Sequence, residues 1–191
     1  MDQKYFTHLN DYDLRTINEK KVIFDTNVLV NLYHPEINKN NTINQNYISK
    51  IEDLLIDCKI KKIKIKIIIP IISEFYNLAL NAAFEDYKIS KLKDEKFTKK
   101  DYRKTPEFKI SNAGIIKIIN DILLHQEFEV EHYNFEYEKI ENKETLLSSL
   151  DFTDLIISKY CEEKDVCLVT LDSDFRKTFR RNLKFSIISN W

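Results

Sequence analysis

The stretch KVIFDTNVLVNLY, residues 21–33, decides the fold of this chain. Its first four residues form a short apolar run that stops at Asp25, and such a run predicts a buried strand. From Asn27 to Tyr33 the apolar spacing predicts a short helix, which we expect to end near Pro35. A strand that passes directly into a helix is the repeating unit of α/β proteins.

The same alternation continues along the rest of the chain. Further strands are predicted at 63–70, 128–130, 166–170 and 185–188, and further helices at 47–58, 71–87, 115–123 and 155–161. Alternation of this kind predicts a parallel sheet covered by helices on both faces. We therefore expect a three-layer α/β/α sandwich with a five-stranded parallel sheet, formed as a single domain over residues 1–191. Residues 1–20 are predicted to be an N-terminal extension, and residues 88–109 a charged helix extension or loop.

The composition excludes several classes of protein. No apolar run approaches the roughly 20 residues of a membrane helix, and the N-terminus lacks the apolar core of a secretory signal. Gly114 is the only glycine, which argues against loops that need several glycines to approach phosphate. The three cysteines show no metal-ligand spacing and are expected to be reduced thiols. We therefore expect a cytoplasmic protein without a membrane segment.

Acidic residues follow the predicted strands or open the helices beside them. They are Asp25, Glu74, Asp154, Asp172 and Asp174. Because the carboxyl ends of parallel strands share one edge of the sheet, these side chains are expected to converge there. Each acid alone has an ordinary explanation as a turn residue or a helix-dipole partner, and Asp151 is expected to be a helix N-cap. Those explanations do not predict that all of the acids meet at one edge.

Crowded carboxylates repel one another, and this cost is tolerated where a cation neutralises it. All-oxygen ligands favour Mg²⁺ or Mn²⁺. Such a site is well suited to phosphodiester hydrolysis, in which one metal activates a water and a second stabilises the leaving oxygen. A histidine or cysteine nucleophile is then not required.

Four segments of the chain resemble the four motifs of PIN-domain nucleases, and they occur in the family's order. The segments are KVIFDTNVLVNLY (21–33), PIISEFYNLAL (70–80), LDFTDLIISKYC (150–161) and VCLVTLDSDF (166–175). Any one of them is a weak signal, but the ordered set is a strong one.

This resemblance implies a PIN-like sandwich and a metal-dependent endoribonuclease. It implies that Asp25, Glu74, Asp154 and Asp172 are catalytic ligands of Mg²⁺ or Mn²⁺, with Asp174 as a further ligand or neighbour. It also implies that Asn27 and Thr170 orient the acids through hydrogen bonds. Within the family the toxins of VapC type are the nearest match, so an antitoxin protein and a second copy of the chain are open as partners beside the RNA substrate. The chain is longer than those toxins.

Basic residues directly follow the fourth motif. Arg176, Lys177, Arg180 and Arg181 are predicted to contact RNA phosphates. The lysines of residues 59–66 and 88–104 are expected on a solvated surface.

Two alternatives stay open. One is a non-catalytic, RNA-binding PIN-like module. The other is a phosphatase resembling the haloacid dehalogenases, although Asn27 stands where that family needs a second acid.

Overall fold

Six parallel strands form one sheet in the part of the chain that the computed structural model describes, which is residues 6–9, 11, 21–38, 45–92, 94–136, 150–175 and 185–190. The strands are β1 (Phe6–His8), β2 (Lys21–Phe24), β3 (Ile65–Ile67), β4 (Phe128–Val130), β5 (Val166–Val169) and β6 (Ile187–Ser189). Their order across the sheet is β1-β6-β5-β2-β3-β4, and every neighbouring pair is parallel. The chain is therefore an α/β protein with an all-parallel sheet, as predicted.

The helices that pack around the sheet begin at residues suited to a helix start. They are α1 (Thr26–Tyr33), a 3-10 helix (Pro35–Asn38), α2 (Gln45–Ile60), α3 (Ile69–Ser90), α4 (Lys99–Tyr102), α5 (Pro106–Leu124) and α6 (Phe152–Lys164). The side chains of Asp25, Thr98, Thr105 and Asp151 accept backbone hydrogen bonds at the starts of α1, α4, α5 and α6. Proline occupies the first turn of α3 and of α5, where its missing N–H costs nothing.

The centre of the sheet positions the acidic edge. The residues of β5 and the last three of β2 are buried, as expected for inner parallel strands that helices cover. Phe24 lies opposite Val169 in the register between these strands. The residues that follow them, Asp25 and Thr170, therefore leave the sheet side by side.

The expectation of five strands was wrong, because the N-terminal segment adds a sixth. Residues Phe6–His8 pair with β6, and the Leu9 N–H donates to the Ser189 carbonyl at 2.7 Å. Three residues carry no periodicity from which a strand could be recognised, and only the pairing with β6 makes them one. The final strand also begins later than predicted, at Ile187 instead of 185.

Residues 88–109 contain more helix than the charge pattern predicted. Helix α3 continues to Ser90, α4 follows after a turn, and α5 already begins at Pro106. Tyr102 of α4 is 1% exposed, with its ring 5.0 Å from that of Tyr87 and 5.6 Å from that of Phe108. The described lysines of this stretch are exposed or partly exposed, while its aromatic side chains anchor it to α3 and α5.

Lys66 contradicts the expectation that the lysines of residues 59–66 are solvated. It is 6% exposed on the inner strand β3, between β2 and β4. Its ammonium group lies 2.8 Å from Glu129 and 3.3 Å from Glu131, and the Tyr160 hydroxyl donates to Glu131 at 3.0 Å. The lysine on this inner strand is buried, and its charge is offset by the exposed Glu129 and the partly exposed Glu131.

No helix in the described ranges is long and apolar enough to cross a membrane. Cys58, Cys161 and Cys167 are all buried as free thiols.

Candidate active site

Asp25 is the most tightly held acid at the carboxyl edge of the sheet. It is 2% exposed and caps α1, and its Oδ1 accepts from the Thr26 N–H at 2.7 Å. Its Oδ2 accepts from the Thr170 hydroxyl at 2.7 Å. Its own N–H donates to the Val169 carbonyl at 2.9 Å, which extends the pairing of β2 with β5 by one residue. Both carboxylate oxygens therefore have fixed directions.

Thr170 connects the first and fourth motifs. Its hydroxyl donates to Asp25 and accepts from the Asp172 N–H at 2.9 Å. The Asp174 N–H in turn donates to Asp172 Oδ1 at 2.8 Å. Thr170 thus donates a hydrogen bond to Asp25, one of the predicted acids. The bond that it accepts from the Asp172 N–H fixes the turn that carries Asp172. Asp174 lies next to that acid and is partly exposed.

Glu74 is held by Thr26, a residue to which the sequence analysis gave no role. The Thr26 hydroxyl donates to Glu74 Oε2 at 2.8 Å, and Thr26 is 1% exposed. Glu74 was expected in the first helical turn after the strand. Helix α3 begins at Ile69, so Glu74 lies in its second turn. The signal for Thr26 was its place immediately after the edge acid, at the first position of α1.

Asn27 is placed differently from the prediction. Its backbone carbonyl accepts from the Asn31 side chain at 2.6 Å, and its side chain is partly exposed. Within the described ranges, no hydrogen bond joins the Asn27 side chain to an acid of the site. Its orienting role stays a prediction, while Thr26 makes the contact with Glu74.

Asp154 enters the site from α6. It lies in the first turn of that helix and is 8% exposed. Its N–H donates to Asp151 Oδ1 at 2.8 Å, so Asp151 is the N-cap, as predicted. Asp151 is exposed, but its charge still raises the pKa of Asp154 and of Glu74.

The pKa values show that the acids are close enough to interact. Burial raises the pKa of Asp25 to about 7. The hydrogen bond from Thr170 acts to lower this pKa, and the negative charge of Glu74 acts to raise it. Burial raises the pKa of Asp154 to about 8, and negative neighbours raise it further. Those neighbours are Asp25, Asp151, Asp172 and Glu74. Burial also raises the pKa of Glu74. The edge is therefore a site where negative charge is costly unless a proton or a cation is bound.

The acids do not form a finished metal cage. In the described part of the chain, no three acidic, histidine or cysteine side chains are grouped closely enough to hold a metal ion. The donors are nevertheless all oxygen atoms of buried or partly exposed acids that repel one another, which suits a hard divalent cation. The residues fit such an ion in chemistry, and rotation of the acidic side chains would have to bring their oxygens together around it.

The predicted RNA-binding residues Arg176, Lys177, Arg180 and Arg181 lie outside the described residues.

Comparison with protein-family models, with curated proteins and with solved structures gave no significant match. The parallel α/β fold is therefore shown by the structure, whereas the relation to PIN domains rests on the four sequence motifs.

Proposed function

We propose that this protein is a metal-dependent endoribonuclease of the PIN type, with its active site at the carboxyl edge of the sheet. The observation that carries the proposal is that two acids, Asp25 and Asp154, are buried close to other acids. Burial and the neighbouring negative charges raise the pKa of both. No lysine or arginine of the described ranges forms an ion pair with Asp25, Glu74 or Asp154. A bound cation is the simplest way to offset that charge.

The residues that would hold Mg²⁺ or Mn²⁺ are Asp25, Glu74, Asp154 and Asp172, with Asp174 beside them. When bound, such an ion activates water and neutralises the charge on the phosphate of the substrate. Phosphodiester hydrolysis then needs no side-chain nucleophile. RNA as the substrate, and a likeness to the toxins of VapC type, are supported by the four motifs in their order.

The neighbouring hydroxyl groups set the directions of the acids. Thr170 and the Thr26 N–H hold the two oxygens of Asp25, and the Thr26 hydroxyl holds Glu74. These contacts hold the carboxylates of Asp25 and Glu74 in defined positions before a cation or substrate arrives, which removes part of the reorganisation that the reaction requires. Asp154 accepts no such bond from the hydroxyls of this network, and burial with its acidic neighbours raises its pKa to about 8, so a proton or a cation would have to offset its charge at neutral pH.

The phosphatase alternative fits this geometry less well. In that chemistry Asp25 would have to attack phosphorus as a nucleophile. Both of its oxygens already accept hydrogen bonds, and the residue is 2% exposed. A carboxylate held in this way is suited to orienting a ligand and not to reaching a substrate.

The deciding experiment is cleavage of end-labelled tRNA and rRNA by the purified protein, with excess EDTA and across a Mn²⁺ titration. EDTA should abolish cleavage and Mn²⁺ should restore it. The same titration should stabilise the fold by about 2.7 kcal/mol when Mn²⁺ reaches a hundred times its dissociation constant.

Cleavage that persists in excess EDTA would rule out a metal-dependent mechanism. RNA binding without cleavage at any Mn²⁺ concentration would identify the non-catalytic module. Hydrolysis of small phosphate monoesters without cleavage of RNA would identify the phosphatase.

A further inference from the structure

One exposed aromatic side chain lies at the start of helix α6, next to the acidic site. Phe152 is 55% exposed, and among the described residues it is the only phenylalanine, tyrosine or tryptophan whose side chain is exposed and not partly or fully buried. A ring of this size in water forgoes the free energy that its burial would release. Phe152 is therefore suited to contact a ligand that has an apolar, planar surface of its own.

Phe152 lies inside the turn that brings Asp154 into the site. Asp151 caps α6 by accepting from the Asp154 N–H at 2.8 Å, and Phe152 is the first residue of the helix, between the two acids. Phe152 and Asp154 are separated by about 3 Å along the helix axis. Asp151, which precedes Phe152, is close enough to Glu74 for its charge to raise the pKa of that acid. The ring thus lies at the rim of the acidic site.

A series of aromatic contacts leads from the protein interior to Phe152. Tyr160 of α6 is buried, and its ring centroid lies 5.3 Å from that of Tyr133, in the segment that follows β4. The Tyr133 ring lies 6.4 Å from that of Phe135, and the Phe135 ring lies 5.7 Å from that of Phe152 in an edge-to-face arrangement. Because each ring packs against the next, the fold sets the position of Phe152 although more than half of its side chain is exposed.

A nucleotide next to the scissile phosphate presents a matching surface. In the proposed reaction the phosphate lies at the cation, and each phosphate of RNA is flanked by nucleotides with planar bases. Aromatic side chains bind unpaired bases by stacking, which every base permits because each has a π face. A ring at the rim of the cation site is therefore within reach of an adjacent base. An apolar peptide offers no phosphate to a cation at the acids, whereas RNA offers a phosphate and a base together.

We propose that Phe152 is a substrate-binding residue that stacks on the base of a nucleotide beside the scissile phosphate. This inference rests on the proposed function and deepens it, because it assigns the residue that holds the substrate next to the acids. Stacking needs no hydrogen bonds to the base, so Phe152 accepts any of the bases and gives little sequence preference. The nucleotide has to be unpaired, since the faces of a base within a duplex are already stacked.

The first test compares Phe152→Ala, Phe152→Leu and Phe152→Trp in the cleavage of a short, unstructured oligoribonucleotide at saturating Mn²⁺. Leucine keeps an apolar side chain next to Phe135 but offers no aromatic face, whereas tryptophan restores one. Alanine and leucine should each raise KM by about tenfold, which lies within the range for loss of one base–aromatic contact. The kcat should change less, because the base is stacked both before and during the reaction. Tryptophan should keep the wild-type KM.

Leu124→Ala is the matched control. Leu124 is 82% exposed at the end of α5, which leads into the start of β4 and so lies at the opposite end of the sheet from the acids. This variant also removes an exposed apolar side chain, and it should keep the wild-type KM. Circular dichroism should show that all variants are folded. Should Phe152→Ala fail to fold, the leucine and tryptophan variants still decide the question.

A purely structural role of Phe152 would also impair cleavage, so the second test changes the substrate. Single bases near the mapped cleavage site are removed one at a time, which leaves the sugar and phosphate in place. With wild type, one abasic position should raise KM by about tenfold. With Phe152→Leu the same position should have little further effect, because the ring on which the base stacks is already missing. A structural role would instead leave the effect of each abasic position unchanged.

The third test does not depend on cleavage. An oligoribonucleotide with 5-iodouridine at that position is irradiated with the protein in Mn²⁺, and mass spectrometry identifies the crosslinked residue whether or not the strand has been cut. This base crosslinks most readily to an aromatic ring stacked on it, so the adduct should be on Phe152.

Several results would overturn the proposal. They are an unchanged KM in Phe152→Leu, an abasic effect that is the same in wild type and variant at every position, and a crosslink that is absent or on another residue. Normal cleavage by Phe152→Leu would reject the stacking role and keep the proposed function. A crosslink on Phe152 without any cleavage would reject the nuclease and keep Phe152 as an RNA-binding residue, so the two failures are distinguishable.

Discussion

Two groups of acids differ in whether they form an ion pair with a lysine among the described residues. At the carboxyl edge, Asp25 and Asp154 are buried among other acids, and their pKa values rise to about 7 and about 8. Beside them, Glu129 and Glu131 contact the buried ammonium group of Lys66.

In this second group the pKa of the acid Glu131 is lowered and not raised. Burial acts to raise the pKa of Glu131, but hydrogen bonds from Tyr160 and Lys66 outweigh it, and the pKa is lowered. Burial likewise acts to lower the pKa of Lys66, and its two acidic partners raise it instead. Ion pairing with Lys66 thus outweighs burial in its effect on the pKa of Glu131. We propose that a cation from solution has the corresponding role at the edge acids.

The largest expected effect is a difference in RNA cleavage between variants of the two groups of acids. Asp154→Asn should reduce metal-dependent RNA cleavage by about a thousandfold, because loss of a direct ligand should exceed the 10–100-fold loss typical of second-shell changes. Glu129→Gln should change cleavage less than threefold, since that acid serves Lys66. Initial rates at saturating Mn²⁺ measure both. Similar losses in the two variants would remove the functional distinction between the groups.

The next effect tests the structural role of the paired group. Lys66→Met should lower the free energy of unfolding by about 3 kcal/mol, because Glu131 then keeps a partly buried charge without its cation. Lys159→Met is the matched control, since it removes a partly exposed ion pair between neighbours on α6. That change should cost less than about 1 kcal/mol. Urea denaturation measures both, and equal small losses would show that the buried pair is not structural.

The third effect concerns pH. Asp154 has a pKa of about 8 in the folded protein against 3.8 as its ordinary value. Between these values the folded protein binds a proton that the unfolded chain does not. This stabilisation is complete below the ordinary pKa and is lost as the pH rises through the folded one. Asp154 alone can therefore contribute a fall of up to about 1.4 kcal/mol per pH unit in the metal-free protein.

Asp154→Asn should flatten that dependence when urea denaturation is followed in EDTA at several pH values between 5 and 8. Asp154 is a better choice than Asp25 for this test, because asparagine at 25 would disturb the bonds from Thr26 and Thr170. Parallel curves for wild type and variant would mean that Asp154 is not protonated in the folded protein.

The smallest effect concerns Asp151. Asp151→Asn should change stability by less than about 0.5 kcal/mol, because asparagine caps a helix about as well as aspartate. It should also keep most RNA cleavage, since Asp151 holds the N–H of Asp154 and is exposed. Thermal melting and the cleavage assay check the two parts. A variant that is folded but inactive would show that Asp151, and not Asp154, is the acid of the third motif.

Much of the sheet could be predicted because each inner strand is a short apolar run bounded by a helix. The starts of the inner strands β2 and β5 agree with prediction, since buried parallel strands leave a pattern that needs no partner to be recognised. The start of β4, at the edge of the sheet, was also predicted. The edge strand β1 left no such pattern. Helix α4 within residues 88–109 was also missed, because the position of this stretch depends on contacts of Phe97 and Tyr102 with Tyr87 of α3.

The sequence pointed to the acids and to Thr170, which donates to Asp25, but not to Thr26, which donates to Glu74. An acid after a strand reveals itself by position, so Asp25 and Asp172 stood out in the sequence. Which hydroxyl reaches which carboxylate depends on side-chain direction at the end of a strand. That is why Thr26 was missed and Asn27 was named for the orienting role instead.

The sequence by itself determined the α/β class, the order of the elements and the acids at the strand ends, because periodicity and residue chemistry are local. Only the tertiary structure decided that Lys66 is buried beside two acids and that Asp25 and Thr170 lie side by side. Both depend on the register between strands. Those relations join residues up to 145 positions apart, and no local pattern encodes them.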